Sequence, residues 1–120
     1  HGLDGLDEIS LLGKTSLAEI KQKQIKHYEV TPEDFGLKRC TLNDIAGGVP
    51  EFNAQVIRNI FSGKERGPRR DFLVLNNAAT LYVSGKTASI REGMDLSRSL
   101  IDSRVAERKL QELVEKSKTV

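Results

Sequence analysis

The sequence predicts an α/β chain, with a short β-hairpin region followed by about four helices. Three observations carry that expectation. Residues 15–20 and 25–30 are short runs bearing β-branched side chains, a strand signature. From residue 49 onward, apolar residues recur at helical spacing in four stretches. The first 48 residues hold six of the ten glycines, which marks turns and loops rather than long helices.

The two strand-like runs are separated by Gln22-Lys23-Gln24. That linker lacks the Asn-Gly or Asp-Gly pair of a tight hairpin, so a looser loop is expected. Thr31 precedes Pro32 and is pushed to an extended conformation. Pro32 can then open a short helical turn that ends near Gly36. Residues 41–46 predict another helical turn, closed by Gly47-Gly48. Pro50 suits a first helical position. Phe52, Val56, Ile57, Ile60 and Phe61 follow at helical spacing, and Gly63 can end that helix.

Residues 64–71 form a charged turn in which Gly67-Pro68 restarts a helix. Residues 72–83 are apolar on nearly every side, which predicts a helix buried all round. Gly85 can supply its left-handed cap. Ser89-Ile90-Arg91-Glu92 matches a capping box, whose helix should run to about Ile101. Asp102 or Ser103 is expected to cap the last helix, with a stripe of Ala106, Leu110, Leu113 and Val114. Three flanking helices and one hairpin barely cover a helix buried on all faces. The chain also opens on His1 rather than Met. Together these predict a single segment, residues 1–120, cut from a longer chain that supplies more of the core.

Composition excludes several function classes. The 120 residues carry 19 Lys and Arg against 17 Asp and Glu, a net charge of +2, too small a surplus for a basic nucleic-acid module. One cysteine, Cys40, can make neither an internal disulfide nor a Cys-rich metal site. The most apolar run, residues 72–83, is interrupted by Asn76 and Asn77 and falls short of a membrane span of ~20 residues. With no signal or transit leader in view, the expected location is cytoplasmic.

The candidate site is the acidic start, Asp4, Asp7 and Glu8, within ten residues that hold no Lys or Arg. Adjacent side chains diverge on a strand or a helix, so Asp7 and Glu8 can share one centre only from a loop. Gly2 and Gly5 make such a loop feasible. Paired carboxylates on a loop suit Mg²⁺, which takes oxygen ligands and commonly completes its shell with substrate phosphates. The alternative is a solvated acidic loop. His1 is a further ligand or acid candidate, and His27 sits at a hairpin surface position. Cys40 lies beside Lys38 and Arg39, where its pKa would fall, but reads better as a small buried apolar residue. Lys64, Arg66, Arg69 and Arg70 flank a helix start that can bind phosphate, or else form a solvated charged turn. Asn76 and Asn77 are expected to satisfy nearby backbone groups. No Gly-rich phosphate loop, HExxH or GxSxG motif is present.

His1-Gly2-Leu3-Asp4-Gly5-Leu6-Asp7-Glu8 resembles the HGxDGLDE segment of anthranilate phosphoribosyltransferases. Pro32-Glu33-Asp34-Phe35-Gly36-Leu37 is similar to that family's PEDFGL. Gly47-Gly48 with Asn53-Ala54 resembles its GG…ENA. The run from Arg70-Asp71 to Val83 resembles its RDxVLLNAAAALYVAGK helix, and the stretch from Ser89 to Asp102-Ser103 its closing S…EG…AIDSG. The resemblance spans the whole chain in order. Val49 and Phe52 depart from acidic positions, Asn77 from a small apolar one, and Arg104 from the glycine that often follows IDS.

The resemblance implies the C-terminal portion of a nucleoside phosphorylase/phosphoribosyltransferase-type α/β domain. It implies transfer of phosphoribosyl from phosphoribosyl pyrophosphate to anthranilate in tryptophan biosynthesis, with pyrophosphate released. It implies Mg²⁺ as cofactor, with Asp7 and Glu8 as the metal-binding pair. The helical domain, the phosphate loop and the anthranilate-contacting arginine of such enzymes lie before His1. The 120-residue chain alone is therefore expected to be inactive, and the complete enzyme to be a homodimer with no membrane or nucleic-acid partner. Two other readings share the fold: a pyrimidine nucleoside phosphorylase, and a non-enzymatic nucleic-acid-binding relative.

Overall fold

The first ladder is buried at Thr15 and exposed towards its turn. In the computed structural model, which describes residues 1–119, β1 (Thr15–Lys21) pairs antiparallel with β2 (Gln24–Val30), from Thr15↔Val30 to Lys21↔Gln24. Only Gln22 and Lys23 remain for the turn, with φ of 51° and 62°. The looser loop expected from the sequence is thus a tight two-residue turn. Left-handed central residues match the twist of paired strands. The ladder imposes that geometry although neither residue is glycine, at a cost of roughly 1 kcal/mol each. Replacing Gln22-Lys23 by Asn-Gly should therefore stabilise the protein by about 1 kcal/mol and raise its thermal midpoint by several degrees. An unchanged or lower midpoint would show that the turn stores no such strain.

A 3-10 turn (Pro32–Phe35) follows, then α1 (Leu42–Ile45). Both starts use one device. The Thr31 and Thr41 backbone N–H groups donate to Asp34 Oδ2 and Asp44 Oδ2, each at 2.7 Å. Gly36, at φ 71°, ends the first turn and donates to the Glu33 carbonyl at 3.0 Å. Ile9, Leu11, Pro32 and Leu37 are the buried apolar residues here. The chain divides into two compact units, His1–Ala46 and a second beginning at Gly47. The shift in composition after residue 48 anticipates that boundary.

The second unit holds the four expected helices, α2 (Pro50–Phe61), α3 (Pro68–Val83), α4 (Ile90–Asp102) and α5 (Val105–Ser117). Before α2, the Asn53 side chain clamps the Gly48 backbone, accepting from its N–H at 2.8 Å and donating to its carbonyl at 2.9 Å. The helix expected to be buried all round is not. Val74, Leu75 and Ala78 form one fully buried stripe on α3. Phe72, Leu73, Leu81 and Tyr82 are half-buried, and Val83 is 84% exposed. The fully buried edge of this helix packs chiefly against α4. Asn76 does bond the backbone, donating to the Phe72 carbonyl at 3.1 Å. Asn77 instead reaches across to the Ser97 hydroxyl of α4 at 3.0 Å.

At the start of α4, Ser89 Oγ accepts the Glu92 N–H at 3.1 Å, as the capping box predicts. The Glu92 carboxylate accepts from Ala88 N–H at 2.8 Å, one residue earlier than the box requires. Neither Asp102 nor Ser103 caps α5. Asp102 is the last residue of α4, and its carboxylate pairs with Arg70 at 3.0 Å. The cap position falls to Arg104, at φ 63°. That left-handed conformation is the physical reason a glycine serves well there. On α5, Ala106, Leu110 and Val114 are half-buried and Leu113 is exposed.

Candidate functional site

The acidic loop grows out of the outer edge of β1. Gly2 makes an antiparallel bridge to Thr15. Leu3 N–H donates to the Lys14 carbonyl at 2.8 Å, and Ser16 N–H to the His1 carbonyl at 2.9 Å. The chain then folds back tightly. Gly2 N–H donates to the Leu6 carbonyl at 2.7 Å, and Gly5 N–H to the Gly2 carbonyl at 3.1 Å. Gly5 sits at φ 102°, a conformation that side-chain-bearing residues avoid.

Both oxygens of Asp4 are used inside this loop. Oδ1 accepts the Leu6 N–H at 3.1 Å, and Oδ2 accepts a short hydrogen bond from the Ser10 hydroxyl. Ser10 Oγ in turn accepts the Leu12 N–H at 2.9 Å, and Ser10 N–H donates to Thr15 Oγ1 at 2.9 Å. Ser10 and Thr15 are buried. A Cβ at position 2 would stand 2.5 Å from Asp4 Oδ1 and 3.1 Å from Ser10 Cβ, so a larger residue there would displace this carboxylate.

Asp7 and Glu8 differ from Asp4. Both are exposed. Neither has a hydrogen bond or ion pair among the described residues. The three acids grouped on the sequence therefore separate into one internal brace and one open pair. The brace residues Ser10 and Thr15 escape sequence reasoning, because a buried hydroxyl leaves no pattern in composition or spacing.

The donor chemistry of the open pair fits Mg²⁺. Both side chains offer oxygen, and neither forms an ion pair with a lysine or arginine among the described residues. Among the described residues no three His, Cys, Asp or Glu side chains converge into a metal-holding group. Two carboxylates would leave the rest of such a shell to water or substrate oxygen, an arrangement magnesium commonly takes.

The other candidates resolve separately. His27 is exposed on β2 opposite Ala18, as expected. Cys40 is half-buried, and its backbone N–H donates to the Leu11 carbonyl at 3.1 Å. At the α3 start, the Glu65 carboxylate already accepts the Gly67 N–H at 2.6 Å, so the chain's own acid occupies a phosphate's place. The solvated-turn reading suits Lys64 and Arg66, which lie at the surface of that turn. It fails for Arg70, which is only 8% exposed and bound to Asp102. Arg69 lies over the Phe52 ring at 5.6 Å, so the aromatic residue that departs from the family's acidic position has a cation partner. Burial pushes the Asp71 carboxyl above its ordinary pKa, against the pull of Arg98 and Arg70. The Arg39 hydrogen bond holds the Glu33 carboxyl below its own. No helix is long and apolar enough to cross a membrane among the described residues.

A hairpin in the first compact unit and a helical array in the second give the chain the make-up of an α/β fold. Residues 1–107 match the glycosyl transferase family, a/b domain, and the chain belongs to that family. It is 46% identical over 115 residues to an anthranilate phosphoribosyltransferase of Methanobrevibacter smithii, covering 96% of this chain and 34% of that protein. It superposes on the anthranilate phosphoribosyltransferase of Thermus thermophilus with TM-score 0.84 and 38% identity, over 93% of this chain and 33% of that one. The Saccharomyces cerevisiae enzyme in complex with PRPP and Mg matches with TM-score 0.87 and 28% identity, over 99% of this chain and 34% of that one. The chain therefore spans about a third of the length of these relatives.

Proposed function

We propose that the chain is the magnesium-carboxylate segment of an anthranilate phosphoribosyltransferase. In this reading the complete enzyme moves phosphoribosyl from phosphoribosyl pyrophosphate to the amine of anthranilate and releases pyrophosphate. It does so in tryptophan biosynthesis, in the cytoplasm and as a homodimer. The observation that carries the proposal is the pair of unpartnered carboxylates, Asp7 and Glu8, on the HGxDGLDE-like loop. The name shared by the similar proteins supports the transferase over the phosphorylase.

Mg²⁺ held at this loop would offset the charge of a departing diphosphate. Asp7 and Glu8 would supply anionic oxygens from a loop held by its own internal hydrogen bonds, which favours preorganisation. The attacking amine belongs to anthranilate. No serine, cysteine or lysine nucleophile is required of the chain.

The test uses the full-length enzyme carrying this segment, with phosphoribosyl pyrophosphate, anthranilate and Mg²⁺. Formation of phosphoribosyl-anthranilate and pyrophosphate is expected. Absence of that product, together with phosphate-dependent cleavage of pyrimidine nucleosides, would overturn the assignment in favour of the phosphorylase.

A further inference from the structure

We propose that Asp4 is a positioning residue: acting through the Ser10 hydroxyl and the Leu6 amide, it fixes the turn that presents Asp7 and Glu8, and so sets divalent-cation affinity without touching the ion. The inference rests on the reading of Asp7 and Glu8 given above and adds residues outside that pair.

The geometry assigns Asp4 this role because each of its carboxylate oxygens already accepts a bond within the loop. One carboxylate oxygen is taken by the Leu6 N–H and the other by the Ser10 hydroxyl. Leu6 immediately precedes Asp7, and Ser10 follows Glu8 by two residues. Asp4 thus ties together both ends of the five-residue stretch that carries the pair. Ser10 is anchored to β1 through Thr15 Oγ1, at 2.9 Å from its N–H. Gly2 gives the Asp4 carboxylate its space, since a Cβ would come within 2.5 Å of Oδ1. Each polar group in the chain Leu6–Asp4–Ser10–Thr15 has a partner, and such a satisfied network rigidifies what it spans. Groups that orient metal ligands in this way typically alter metal affinity by about 10- to 100-fold when removed.

The experiment measures Mn²⁺ binding, by the paramagnetic resonance of the free ion, in the full-length enzyme with phosphoribosyl pyrophosphate present. Activity is followed in parallel as a function of Mg²⁺. Ser10→Ala keeps every charge of the loop and removes the hydroxyl that donates to Asp4 and accepts from the Leu12 N–H. It should weaken Mn²⁺ binding by about 10- to 100-fold, with turnover largely restored at high Mg²⁺. Asp4→Asn should do the same. The double variant should lose less than the product of the two single losses, because both break the same Asp4–Ser10 contact. Asn77→Ala, which loses its bond to Ser97 far from the loop in sequence, controls for stability alone and should leave Mn²⁺ affinity unchanged.

If Asp7→Asn with Glu8→Gln loses Mn²⁺ while Ser10→Ala binds it as tightly as the parent, positioning by Asp4 is overturned and the magnesium reading stands. If the Asp7 and Glu8 variant still binds Mn²⁺ normally, the magnesium reading itself falls, and this proposal falls with it. Should Asp4→Asn fail to fold, Ser10→Ala decides the matter by itself.

Discussion

Asp7→Asn combined with Glu8→Gln is expected to lower magnesium-supported turnover of the complete enzyme by about 100- to 1000-fold, the scale of losing one preorganised electrostatic contact to a developing charge. Folding should be nearly untouched. Both side chains are exposed and unpaired among the described residues, so neutralising them breaks no internal bond. Surface changes of this kind usually stay within about 0.5 kcal/mol. Removing two adjacent negative charges relieves their mutual repulsion. A thermal midpoint at or slightly above that of the parent, beside a collapsed kcat/KM, is the expected pattern. Each single variant should fall between the parent and the double, with part of its loss recovered at raised Mg²⁺. Full activity of the double variant at low Mg²⁺ would remove these residues from the site.

The fold was largely legible because its signals are local. Pro32, Pro50 and Pro68 mark helix starts, Gly36 and Gly63 mark stops, and the Ser89-to-Glu92 spacing marks a cap. What was not legible depends on pairing between distant residues. The Gln22-Lys23 turn has no glycine to announce it, and the strand ladder alone makes it tight. The apolar run at residues 72–83 reads as uniformly buried, but burial is decided by which face another helix covers, and only Val74, Leu75 and Ala78 are covered fully. Arg70 sits in a charge run that looks solvated, yet Asp102, 32 residues away, gives it a reason to be buried. The same division holds in the site. The Asp7–Glu8 pair is visible as adjacency, whereas the Asp4–Ser10–Thr15 brace exists only once the loop returns to β1.

Gly93→Ala should be among the most damaging single substitutions outside the acidic loop, at a cost of about 2–3 kcal/mol. α4 meets α3 at this residue. A Cβ there would lie 2.6 Å from the Ala78 carbonyl oxygen, 3.0 Å from its Cα and 3.1 Å from its carbonyl carbon. All three are backbone atoms, so no rotamer change relieves the overlap, and Ala78→Gly would offer no rescue. The helices must move apart. Separation would loosen Val74, Leu75, Ala78 and Met94, which are fully buried, and stretch the 3.0 Å bond from Asn77 to Ser97, one turn further along α4. Gly36→Ala makes the useful comparison. That glycine holds φ 71°, and an added methyl would meet nothing within 4 Å, so the substitution should lose only the left-handed preference, roughly 1 kcal/mol. Thermal or denaturant unfolding of the two variants should therefore separate close packing from backbone conformation. Equal losses would mean that the two helices can part at little cost, and that the tight approach at Gly93 is not what holds α3 against α4.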